Sequence, residues 1–194
     1  MGLEEELDIE ETIDKTCKNA GDLELVWVPP RRNRAKVLLV MDAGGSMDPY
    51  YHLVNRIFSA AHQMKTFKDF KYFYFHNCIY DQLFKNMAFR ESIETNEFIR
   101  QYDKDYKLVI LGDASMAHSE LFARGGSIDY YNYNQTPGMI WLKRLADHFE
   151  KAVWLNPVEA QYWYVNSTIY YISKVFPMFY LSLDGLDSAI RKLL

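Results

Sequence analysis

Two aspartates close apolar runs in this chain. Asp42 follows Lys36–Met41 (KVLLVM), and Asp113 ends the segment LVILGD at 108–113. Ser46 lies four residues beyond Asp42, on the small-residue turn Ala43-Gly44-Gly45-Ser46. If the two runs are neighbouring strands of one sheet, both carboxylates and the hydroxyl converge on one rim. Such an oxygen-rich set suits a hard divalent cation, Mg²⁺ above all, with Mn²⁺ or Ca²⁺ as alternatives. The plainer reading is that Asp42 and Ser46 cap the helix that follows, which both residue types commonly do. The second strand-end aspartate tips the balance toward metal ligation.

Other chemistries find less support. Gly44-Gly45 is not followed by the lysine of a phosphate loop, and no GxGxxG occurs. Residues 44–48 read GGSMD, so Ser46 is not on a GxSxG nucleophile elbow. A Ser-His-Asp set could be drawn from Ser46, one of five histidines and Asp113, but nothing in the sequence fixes its geometry. His76 and His118 read as surface or hydrogen-bonded residues, and Asp48, Glu120 and Asp129 as solvated loop acids. Cys17 and Cys78 have no zinc-type spacing and read as reduced thiols.

The elements that must position these residues alternate. A short amphipathic helix is predicted within residues 4–18, then a strand at 23–28 stopped by Pro29-Pro30, then the basic linker Arg31–Arg34. The run 36–41 is a strand buried on both faces. Pro49 opens a helix over 49–65, and strands follow at 71–76 and within CIYDQLF. A helix is predicted at 92–101, a strand at 108–113 and a long polar loop from Ser115 to Thr136. Pro137 starts a helix to about residue 149; strands at 152–156 and 177–181 and helices near 167–174 and 184–193 complete the pattern. This predicts a Rossmann-like α/β fold: a mostly parallel sheet with helices on both faces. Residues 1–34 form an N-terminal extension, and 35–194 the main domain.

The chain of 194 residues is about half hydrophobic, enough for one core. A net charge of −4 argues against a nucleic-acid partner. No apolar stretch is long enough to span a membrane, and the acidic N-terminus lacks the pattern of a secretory leader, so a cytoplasmic location is expected. The loop Tyr130-Tyr131-Asn132-Tyr133-Asn134-Gln135 mixes aromatics with amides and suits either a protein interface or local packing.

Asp42-Ala43-Gly44-Gly45-Ser46-Met47 resembles the DxSxS(M) signature of von Willebrand factor A (VWA) domains, part of their metal-ion-dependent adhesion site (MIDAS). Asp113 matches the family's later aspartate. Over roughly 35–194 the chain is most similar to the CoxE-like bacterial subgroup, in which a basic stretch such as RRNR also precedes the first strand. The segments FHNCIYD, LGDASM and VFPMFYLSLDGLD share that character. The resemblance implies a non-catalytic adaptor domain whose metal, held by Asp42, Ser46 and Asp113, accepts an acidic side chain from a partner protein. It also implies work with a MoxR-type AAA+ ATPase in cofactor insertion or complex assembly.

The chain departs from the pattern at two points. Gly44 stands where the family has its first serine, and no threonine occurs between Phe67 and Glu94 to serve as the family's further ligand. Asn77 or Asn86 could replace the threonine through an amide oxygen. Two other functions stay open: a metal-dependent hydrolase or phosphotransferase using the same rim, and an interaction domain whose metal site has decayed.

Overall fold

The structure, a computed structural model, describes residues 6–7, 9–19, 25–28, 35–63, 67–128 and 133–193. The chain divides into two compact units, Met1–Asn33 and Arg34–Leu194. In the first, strand β1 (Glu6–Leu7) pairs antiparallel with β2 (Trp27–Val28), and helix α1 (Ile9–Lys18) lies between them in sequence. The Thr12 hydroxyl accepts a hydrogen bond from the Val26 amide at 3.0 Å. The linker Arg31–Arg34 and the start of the strand predicted at 23–28 lie outside the described residues.

The second unit is built on β3 (Lys36–Asp42), whose continuous apolar run is buried on both sides. A 3₁₀ segment (Gly45–Tyr50) leads into α2 (Tyr51–Gln63), and β4 (Asp69–Phe75) returns parallel to β3. β5 (Gln82–Phe84) and β6 (Ser92–Glu94) then add an antiparallel edge. After α3 (Thr95–Gln101) the chain crosses to the other side of β3 and forms β7 (Lys107–Leu111), parallel to it. α4 (His118–Phe122), α5 (Gly138–His148), β8 (Lys151–Asn156), α6 (Ser167–Ser173), β9 (Met178–Tyr180) and α7 (Leu183–Leu193) follow. The sheet order is β6-β5-β4-β3-β7-β8-β9.

The pleat of β3 sends alternate side chains to opposite faces. Leu38 and Val40 join one core with Phe73, Phe98, Leu142, Leu145 and Ile169 from β4, α3, α5 and α6. Leu39 and Met41 join the other with Leu155, Ala189 and Leu193, and Val54 of α2 packs against it. Helices therefore cover both faces, as the alternating pattern predicts. Trp154 and Trp141 are core residues; the Trp154 ring meets Phe75 edge-on, and its indole N–H donates to Gly112 O at 2.7 Å.

Three predictions are corrected. Residues 92–94 are strand, not helix, because Ile93 pairs with Leu83 across the β5–β6 ladder; the helix begins at Thr95. The polar stretch 115–136 contains α4. Glu120 on that helix is not a solvated loop acid but 1% exposed: its Oε2 accepts from the Ala117 amide at 3.1 Å, and its Oε1 accepts from the Tyr80 hydroxyl at 3.4 Å.

Candidate metal centre

The chain leaves β3 toward β4 on one side and returns through β7 on the other. The carboxyl ends of β3 and β7 thus flank the point where the strand order reverses, which is where open α/β sheets form ligand crevices. Asp42 is the last residue of β3, and Asp113 comes two residues after β7 ends. Both are nearly fully buried, at 4% and 5% exposure.

Each carboxylate organises its own turn with one oxygen. Asp42 Oδ1 accepts from the Gly44 amide at 2.8 Å and from the Asn77 amide at 3.0 Å. Asp113 Oδ1 accepts from the Ser115 amide at 3.0 Å. The end of β8 repeats the pattern, with Asn156 Oδ1 accepting from the Val158 amide at 2.8 Å. Short polar side chains commonly bond the backbone two residues on, and here they turn three adjacent strands out of the sheet in the same way. The Asn156 amide also donates to Asp113 O at 2.8 Å, which fixes the β7 exit against β8.

The second oxygen of Asp42 is different. Oδ2 is buried and has no hydrogen-bond partner among the described residues. A buried polar atom left unpaired is costly, more so when charged. Burial pushes the Asp42 carboxyl up to about 7, and the nearby Asp113 and Glu120 charges add to the rise against the lowering by its two amide bonds. The loop-forming role is filled by Oδ1, so capping does not account for Oδ2. A cation would.

Ser46 lies in the 3₁₀ segment and is exposed, and its hydroxyl makes no hydrogen bond among the described residues. The two asparagines separate clearly. Asn86 sits beyond β5 and accepts from the Arg90 amide at 3.3 Å, while Asn77 bonds Asp42 directly. No group of three His, Cys, Asp or Glu residues suited to a metal occurs among the described residues. The donors available are two carboxylates with hydroxyl and amide oxygens, the chemistry that Mg²⁺ and Ca²⁺ accept.

Several residues that shape this rim are not evident from the sequence. Gly112 is one: a Cβ there would lie 3.0 Å from Asp42 Cβ and 3.4 Å from both Asp42 Oδ2 and Phe75 Cζ. Thr168 and Asn166 are others. The Thr168 hydroxyl donates to Ala114 O at 2.9 Å, and the Asn166 amide donates to Ser115 Oγ at 2.8 Å, so the start of α6 braces the segment after Asp113. Ala114 itself is held at φ 56°, a left-handed conformation uncommon outside glycine and asparagine. Of the tyrosine-rich loop, Tyr130, Tyr131 and Asn132 lie outside the described residues, as does Asp129. Asn134 is fully buried and donates to Ala123 O and Thr136 O, which is local packing, whereas Tyr133 is exposed.

Among the described residues no helix is long and apolar enough to cross a membrane. No curated protein and no solved structure matches the chain. Residues 3–82 match the family model described as VWA domain containing CoxE-like protein, a span that begins in the first unit and ends in β5. That match covers less than half of the chain; over it the chain is similar to the CoxE-like proteins containing a VWA domain, and the mostly parallel seven-stranded sheet that carries Asp42 at its switch point is consistent with that Rossmann-like α/β fold.

Proposed function

We propose that this protein is a non-catalytic adaptor that binds a divalent cation at the carboxyl rim of its sheet and engages a partner protein through it. Asp42 and Asp113 would hold the ion, directly or through water, with the Ser46 hydroxyl beside them. The observation that carries this reading is the buried Asp42 Oδ2 without a partner. A bound ion would supply a Lewis-acidic position whose open side accepts a carboxylate from another protein. VWA domains generally mediate protein interactions, and a MoxR-type AAA+ ATPase is the partner class that the CoxE-like resemblance favours. A cytoplasmic location is part of the same proposal.

Calorimetric titration of Mg²⁺, Mn²⁺ and Ca²⁺ into chelator-treated protein tests it. Saturable binding is expected for the wild type and is lost in Asp42→Ala and in Asp113→Ala. An ion at a hundredfold its Kd raises folding stability by about 2.7 kcal/mol, so melting curves read the same event independently. Ion-dependent capture of a MoxR-type ATPase, absent in the two variants, is the expected second result. No binding at millimolar ion would overturn metal-bridged recognition.

A further inference from the structure

We infer that the side-chain amide of Asn77 supplies the oxygen ligand that position 44 lacks, so that Gly44 and Asn77 are two halves of one adaptation to a divalent cation. The inference rests on the metal reading above and assigns a further residue to that centre.

Asn77 follows β4, beside the end of β3. Its backbone is left-handed at φ 55°, a conformation asparagine tolerates better than most residues. The turn is closed by the Cys78 amide donating to His76 O at 2.6 Å. In this pose its own amide N–H bonds Asp42 Oδ1, and its side chain reaches over Gly44. A Cβ on Gly44 would run into Asn77 Oδ1 and would stand 3.0 Å from Asp42 Oδ1. The Asn77 amide therefore fills the volume a serine at 44 would need, and its oxygen and the Asp42 carboxylate border the same point. Among the described residues the side-chain amide of Asn77 has no hydrogen-bond partner, although the residue is half-buried. Two polar groups stand together with unused oxygens, Asp42 Oδ2 and the Asn77 amide. Amide and carboxylate oxygens are both ligands for hard cations, and a neutral amide completes such a set without adding charge to two aspartates.

The test is the same titration of Mg²⁺, Mn²⁺ and Ca²⁺ on the full chain with four variants, each also melted in chelator. Asn77→Gly suits the positive φ and keeps the backbone bond to Asp42. It should bind the ion at least tenfold more weakly with little change in the chelator melting temperature. Asn77→Asp should bind at least tenfold more tightly and melt lower in chelator, because a third carboxylate repels the other two; saturating ion should reverse that loss. Gly44→Ser alone should lose binding through its collision with Asn77. Gly44→Ser/Asn77→Gly should recover at least part of it, because the hydroxyl returns and the obstruction is gone. Wild-type binding matched within twofold by both Asn77→Gly and Asn77→Asp would overturn the inference and leave the metal centre standing. So would a Gly44→Ser protein that binds as the wild type does. A wild type that binds no ion overturns both. If Asn77→Gly fails to fold, the direction of change in Asn77→Asp decides the matter.

Discussion

Gly112 shows how closely two strand ends must approach to bury a carboxylate. Its missing side chain makes room for Asp42 Cβ and Oδ2, with the Phe75 ring just beyond. Gly112→Ala would press on all three. Overpacking of this kind costs about 1–3 kcal/mol, which a denaturant melt of the chelated protein would show. The same variant should weaken ion binding, because Asp42 is the group displaced. Asp42, Ser46 and Asp113 were legible in the sequence because each sits at a fixed place relative to an apolar run. Gly112 was not singled out, and Asn77 stood only as one of two asparagines, with Asn86, that could replace the family's threonine. Asn77 is 35 positions from Asp42, and only the parallel register of β3 with β4 brings its amide to that carboxylate. Glu120 was misread because a lone acid in a polar stretch gives no sign that a tyrosine hydroxyl and a helix start will enclose it.

At the level of elements, α6 matters more to the rim than its seven residues suggest. Asn166 caps it, with Oδ1 accepting from the Thr168 and Ile169 amides, while its own amide holds Ser115 Oγ. Asn166→Ala removes the cap and the brace together. Loss of an asparagine cap costs about 0.5–2 kcal/mol. Hydrogen exchange should also quicken at the Ser115 and Met116 amides, since Met116 N donates to Thr168 Oγ1. A variant that loses stability but leaves those amides protected would show that the cap and the loop are independent. The long elements were readable from pattern alone: β3 and β7 as unbroken apolar runs, α5 and α7 from their helical spacing. β6 and α4 were not, since three and five residues are too few to display a period. Their identities are set by what they pair with or pack against, the neighbouring β5 strand for one and the core that takes Leu121 for the other.

Over the whole molecule, the two cysteines occupy opposite environments. Cys17 is exposed in the first unit and Cys78 is buried in the second, and both are free. Burial pushes the Cys78 thiol well up, with the Glu120 and Asp42 charges adding to it, and a thiol rather than a thiolate reacts slowly. One equivalent should therefore label promptly in native protein near pH 8, and the second only on unfolding. Prompt labelling of both would mean that the β4 exit, where Asn77 and Cys78 are adjacent, opens readily in solution.

The sheet also narrows outward. β3 and β4 at its centre have seven residues each, while β6 and β9 at its borders have three. An unpaired border strand is a template for lateral growth, and short borders leave little of it. Self-association by strand addition is thus discouraged by geometry alone, without need of charged gatekeepers. The protein can thus keep a broad central sheet to support its rim while offering little border for another strand to extend.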